Sequence, residues 1–328
     1  MEPRPCGAST IPPPIASYRE FAPCRALQAD VYALFSFTPR SVLAASSRPL
    51  RREITFSHAT FCSPQLADGH VSLVFELGHA CDLDGHWRSD STVPRGTVIG
   101  PMSHVGHVEV AKRSEMVGVY FRPGRVGPFV RGAVRDLTDQ AVGIDVFWGG
   151  TGLRLGDTLC ELNEVERIDR LESALLAHLH DARRPTGSIR FEQIAATILR
   201  RSGRVTVDAV AGQAGVSRQY LTRQFREHFG IGPKLYSRLA RFQSGLAYAG
   251  SRERIDWAQV AVELGYADQS HLIADFRRFS GLTPQALASR PWFHPFIERA
   301  KLGRMLPSAI GAPLTSVSIS TSARIASR

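Results

Sequence analysis

Val210-Ala211-Gly212-Gln213-Ala214-Gly215-Val216-Ser217-Arg218-Gln219-Tyr220-Leu221-Thr222-Arg223-Gln224-Phe225 returns further along the chain as Val260-Ala261-Val262-Glu263-Leu264-Gly265-Tyr266-Ala267-Asp268-Gln269-Ser270-His271-Leu272-Ile273-Ala274-Asp275-Phe276. Ala211 aligns with Ala261 and Gly215 with Gly265. One residue later in register, Leu221, Phe225, Gly230 and Pro233 align with Leu272, Phe276, Gly281 and Pro284, so the second copy carries one extra residue in its turn. Internal repetition is read first because it fixes the architecture. Each copy has the parts of a helix-turn-helix. A short helix buries one apolar and one small residue, Val210 with Ala211 and Val260 with Ala261, the small one allowing a second helix to cross closely. Glycine follows where a left-handed backbone is needed. Ser217 or Asp268 then supplies the side-chain oxygen that caps the second helix. Leu221 with Phe225, and Leu272 with Phe276, anchor that helix to a core, and its other faces are polar and free to enter a major groove. The plain alternative is two ordinary helical hairpins; two copies in register argue against it.

Between the copies, Pro233 to Gly250 suits one helix with Leu235, Leu239, Phe242 and Leu246 as its apolar stripe. It would hold two helix-turn-helix units at a fixed separation. Sharing one face, they would reach successive major grooves, about 34 Å apart along B-DNA.

Charge follows the same division. The 328 residues carry a net charge of +10. Residues 1–188 hold 20 basic and 21 acidic side chains, residues 189–291 hold 15 and 8, and 14 of those 15 are arginine. A local arginine excess is the electrostatic footprint of a polyanion binder.

The part that precedes the repeat reads differently. Residues 1–14 are proline-rich and lack an apolar stretch, so a disordered leader is expected and secretion is not. Val31 to Phe37, Ile54 to Phe56, Val71 to Leu77, Thr97 to Gly100 and Met116 to Phe121 are rich in β-branched and aromatic residues and read as strands. Val126 to Val134 and Leu159 to His180 read as helical, the latter from apolar positions three and four apart. The fold class is therefore α+β: a small antiparallel sheet or barrel with following helices over 15–180, a linker over 181–188, an all-α domain over 189–291 with two helix-turn-helix units joined by a helix, and a disordered tail over 298–328. The five cysteines, Cys6, Cys24, Cys62, Cys81 and Cys160, form no C-x-x-C pair, which argues against a disulfide framework and for a reducing cytoplasm. No stretch is apolar enough for a membrane span.

Residues 189–291 resemble the DNA-binding domain of the AraC/XylS family of bacterial transcription regulators. The likeness rests on Val210-Ala211, Gly215-Val216-Ser217, Leu221, Arg223, Phe225, Gly230 and Pro233. In the second unit it rests on Val260-Ala261, Leu264-Gly265-Tyr266, Asp268-Gln269-Ser270-His271-Leu272, Phe276-Arg277-Arg278 and the closing Gly281-Leu282-Thr283-Pro284. The resemblance implies that Gln219, Thr222 and Arg223, and Gln269, Ser270 and Ile273, read bases. It implies that Ser217, Arg226, Lys234, His271 and Arg277 contact phosphates, which position without specifying. One departure is Ala274, where the family often has arginine; the second unit would then read fewer bases. Less closely, Leu66-Ala67-Asp68-Gly69-His70, Leu73-Val74-Phe75, Gly100-Pro101, the run Gly118 to Gly124 and Leu137-Thr138-Asp139 resemble an uncharacterised sensor-like domain that precedes this DNA-binding domain in many regulators.

The expectation is a sequence-specific, non-enzymatic regulator of promoter DNA, an activator rather than a repressor. RNA polymerase is its expected partner, and control enters at the N-terminal half through a small-molecule effector or homodimerisation. It would need no cofactor or metal and would act in the cytoplasm, on the nucleoid. The competing reading is a β-barrel enzyme or metal-dependent sensor fused to a DNA-binding domain, with His104 and His107 joined by His70 or Glu76 as ligands. Asp82, Asp84 and Asp90 lack the spacing of a calcium loop. No G-x-S-x-G, Walker or G-x-G-x-x-G motif is present.

Overall fold

The computed structural model describes residues 16–39, 48, 50–56, 61–65, 67, 69–77, 96–110, 115–181, 188–249 and 255–289. The expected leader, most of the linker, the tail, Cys62, Cys81 as side chains and the Asp82–Asp90 cluster lie outside the described side chains.

The N-terminal half is built on antiparallel strands: β1 (Ala16–Phe21), β2 (Val31–Pro39), β3 (Leu50–Phe56), β4 (Phe61–Gln65), β5 (Ser72–Glu76), β6 (Gly96–Ile99), β7 (Gly106–Val110), β8 (Met116–Phe121) and β9 (Ala141–Gly143). Seven form one sheet in the order β3-β1-β2-β8-β5-β6-β9, and β4 pairs with β7 in a separate ribbon. The central strand β2 places Leu34 opposite Val119 and Phe35 opposite Gly118 on β8. Its two faces enter two cores. Leu34, Val117 and Val119 join Ile168, Leu171 and Leu175, whereas Phe35, Phe37 and Tyr120 join the core of the C-terminal helices. A strand buried on both faces has little polar side, which is why Val31 to Phe37 reads as an apolar run broken only at Ser36, whose buried hydroxyl donates to Glu164.

Helices follow: α1 (Asp145–Trp148), α2 (Gly150–Glu161) and α3 (Glu164–Asp181). The helical pattern expected from Leu159 to His180, one helix or two, is two, broken at Leu162-Asn163, where the Asn163 side chain accepts from Val165 N and Glu166 N. The helix expected over Val126 to Val134 is instead a chain of turns ending in a 3-10 turn at Val134–Leu137. Gly127-Pro128 and Gly132, at φ 108°, punctuate it. Its apolar residues are still buried, because Val126, Phe129 and Val130 fill the sheet's outer core without helical phase.

The C-terminal part is all-α: α4 (Ser188–Arg200), α5 (Val207–Ala214), α6 (Arg218–Phe229), α7 (Pro233–Ala249), α8 (Trp257–Glu263), α9 (Gln269–Ser280) and α10 (Pro284–Ala288). Pro233 opens α7 as expected, and Leu239, Phe242 and Leu246 are fully buried along it.

The two halves are packed together. Ala67 N donates to Phe279 O at 3.0 Å, and Val105 N to Arg278 O at 3.0 Å. The Thr138 hydroxyl donates to Gly230 O at 2.7 Å. Arg125 pairs with the buried carboxylate of Glu192 on α4. At Gly230, φ 75°, a Cβ would stand 2.8 Å from Pro101 Cγ and 3.1 Å from Val134 O, so a side chain there would push the halves apart.

Candidate nucleic-acid interface

The two repeats fold alike because the same local chemistry starts and ends each helix. In the first unit the Thr206 hydroxyl accepts from Ala209 N at 3.1 Å, and Ser217 accepts from Tyr220 N at 3.2 Å. In the second, Asp256 accepts from Ala258 N at 2.9 Å, and Asp268 from His271 N at 2.8 Å. Such caps satisfy backbone donors that a helix start leaves open. Gly215 and Gly265 turn the chain at φ 61° and 73°, a backbone region that costs a side-chain-bearing residue roughly 1–2 kcal/mol. Leu221, Phe225, Leu272 and Phe276 are wholly buried, so each second helix has a fixed rotation about its axis.

That rotation decides what faces outward. On α6, Arg218, Gln219, Tyr220, Arg223 and Arg226 are exposed and Thr222 half-buried. On α9, Gln269, Ser270, His271, Ala274 and Arg277 are exposed and Ile273 half-buried. Every residue to which the sequence assigns DNA contact therefore has accessible surface, Ser217 and Lys234 included. Some of their polar atoms are already engaged. The Ser217 hydroxyl serves as a cap. The Thr222 hydroxyl donates to Arg218 O at 2.8 Å. His271 lies edge-on to Tyr266, ring centroids 5.4 Å apart.

The two helices are held to α7 by different means. Phe225, Phe229 and Tyr236 form an aromatic cluster with centroids 4.6–5.7 Å apart beneath α6. Beneath α9 the contact is ionic. Arg238 on α7 donates Nε to Asp275 Oδ1 at 3.0 Å, and Asp275 has no exposed surface. Arg241, also on α7, donates to Gly265 O at 3.0 Å and lies over the Tyr266 ring, clamping the second turn. Burial pushes the phenols of Tyr236 and Tyr266 far above their ordinary range, so both stay neutral. Burial against Phe191 lowers the His228 imidazole below its ordinary value.

Three features of this face are not among the sequence-assigned contacts. Tyr220 keeps 40% of its surface, and the Arg223 guanidinium stands 5.3 Å from its ring centroid. That aromatic platform was visible in the sequence only as one more residue of the second helix. Arg218 lines the same surface. A concavity of about 660 Å³ lies along it, formed by Arg218, Gln219, Thr222, Arg223, Arg226 and Glu227 of α6 together with Arg135 from the N-terminal half. By contrast Arg278, next to Arg277 in sequence, is turned to the N-terminal half and donates to Ser103 O at 3.3 Å.

Of the residues in the competing metal reading, the His107 side chain lies outside those the structure describes. The His104 ring is 3.3 Å from Asp139 and half exposed, and His70 is buried edge-on to Tyr120. Among the described residues no three His, Cys, Asp or Glu side chains are grouped to hold a metal ion. No described helix is long and apolar enough to cross a membrane.

Two capped helix pairs in register, each with a polar and cationic outer face, define a DNA-binding helix-turn-helix protein of the kind found among transcription regulators. The family comparison agrees: residues 210–290 match the family described as a helix-turn-helix domain, and this domain is of the AraC type. Residues 19–143 match a family described as a domain of unknown function, DUF6597. No curated protein matches the chain. Similar solved structures include ToxT from Vibrio cholerae, at 9% identity over 70% of this chain and 93% of that one, TM-score 0.40. Another is wild-type ToxT from Vibrio cholerae strain SCE256 bound to an unsaturated fatty acid, at 11% identity over 70% and 90%, TM-score 0.37.

Proposed function

We propose that the chain regulates transcription by laying α6 and α9 into successive major grooves of promoter DNA. The observation that carries this reading is the matched outer face of the two helices, over cores that fix their rotation. Gln219, Thr222 and Arg223 read bases in one groove; Gln269, Ser270 and Ile273 read them in the other. Arg223 is the natural reader of guanine, since its fork matches O6 and N7. Ile273 offers only apolar contact, and with Ala274 exposed beside it the second unit recognises fewer bases. Ser217, Arg226, Lys234, His271 and Arg277 hold phosphates and set the register. The division of the chain into 15–180 and 189–291 then separates control from reading. The near-neutral N-terminal half takes a small effector or a second copy, and the bound protein recruits RNA polymerase as an activator in the cytoplasm.

The test is binding of the full chain to duplexes with every single-base substitution of a selected site. Arg223→Ala should flatten preference at one base pair, a loss of about 1–3 kcal/mol against the preferred base. Arg277→Ala should weaken all sequences alike. Equal, sequence-blind losses for both would contradict the role given to Arg223.

A further inference from the structure

The concavity along α6 has one wall that the helix-turn-helix domain does not supply. Arg135 belongs to the 3-10 turn Val134–Leu137 of the N-terminal half, and this turn packs against α6. Its Nη1 pairs with Glu227 in the last turn of α6, and its Nε lies 3.3 Å from Asp136. A guanidinium has five N–H donors; those on Nη2 have no partner among the described residues. The side chain keeps 53% of its surface against 29% for Glu227, so the cation of the pair is the more open to solvent. It shares the concavity with Gln219, Thr222, Arg223 and Arg226.

Along α6, Gln219 to Arg226 spans about 10 Å at 1.5 Å per residue, close to the width of a major groove. With Gln219 and Arg223 at base edges, a sugar–phosphate strand bordering the groove runs past the C-terminal end of that face, where Arg226 and Arg135 stand. Glu227 restrains Arg135 there without covering it. We propose that Arg135 contacts a DNA phosphate, so that the N-terminal half forms part of the DNA-binding surface. This rests on the reading of α6 as a groove-binding helix.

Full-length protein and a fluorescently labelled duplex, selected by the wild-type chain from a random-sequence pool, give the test. Each neutralised phosphate adds about 0.9 to the steepness with which log K falls against log salt concentration. Arg135→Ala should lower that slope by about this amount and reduce affinity several-fold at low salt. It should leave base preference and melting temperature as in the wild type. Arg135→Lys should keep the slope. Glu227→Gln should bind as tightly as wild type or more tightly, whereas a purely structural tie would make it behave like Arg135→Ala. An unchanged slope in Arg135→Ala, or tighter binding, would overturn the proposal while leaving the groove reading intact. A wild-type chain with no sequence preference for any duplex would overturn both.

Discussion

Phe276→Ala is the sharpest probe of the helix phase on which the interface depends. The ring has no exposed surface. It meets Phe242 edge-to-face at 5.0 Å and Trp257 at 5.6 Å between centroids. On its third side it lies against bare backbone, since a Cβ on Gly245 would come within 3.0 Å of the ring. Aromatic pairs contribute about 0.5–1.5 kcal/mol each beyond area burial, and Phe→Ala in a core costs about 3–5 kcal/mol. With two such pairs lost, and no side chain at position 245 to fold into the hole, the upper part of that range, about 4–5 kcal/mol, is expected. Urea unfolding gives the stability and duplex titration gives the affinity. Arg277→Ala, one residue further along α9 and exposed, should reverse the pattern: native stability, weaker binding. If Phe276→Ala melts like the wild type yet fails to bind, the ring faces DNA and the rotation assigned to α9 is wrong.

Two further outcomes are open to measurement. Asp275→Ala removes the buried partner of Arg238. Losing one member of a buried pair costs about 3–5 kcal/mol, and unfolding at wild-type denaturant concentration would show that the pair does not hold α9 to α7. His228 has its affinity for protons lowered by burial, so the fold excludes a proton that the unfolded chain binds. Its stabilising effect is complete above the ordinary value of 6.5 and is lost as pH falls through the lower folded value. Melting temperature should therefore drop as pH falls below the ordinary value of 6.5, less steeply in His228→Gln; equal slopes would dismiss the site.

The C-terminal fold was legible because its signals are local. A glycine at each turn, an oxygen-bearing cap and a Leu–Phe pair four apart lie within a few residues of one another, and the structure shows each in that role. The central strands were legible from composition. β1 and the short strands β4, β7 and β9 were not, since Ala16–Phe21 carries Ser17, Arg19 and Glu20, Phe61–Gln65 contains Pro64 and Gly106–Val110 is only five residues long. The contact between the halves was not legible as such: the apolar run Val31 to Phe37 marked a strand buried on both faces but not what covers it. Part of that contact consists of backbone hydrogen bonds such as Ala67 N to Phe279 O, which any residue except proline can donate. The polar linker suggested independent parts, and Arg135 was hidden for the same reason: only packing brings residue 135 beside residue 227.

The N-terminal half grips both groove-facing helices at the same end. Its hydrogen bonds reach Gly230, just beyond α6, and Arg278 and Phe279 near the end of α9, while Arg218 to Arg223 and Gln269 to Ala274 lie at the other end. Substitutions that change which bases are preferred can therefore accumulate in the first turns without disturbing the attachment to the N-terminal half. Changes at Gly230 or around Phe279 would alter that attachment and leave base preference as it was. On the proposed reading, target choice and responsiveness occupy opposite ends of the same two helices, so a lineage can retune one while inheriting the other.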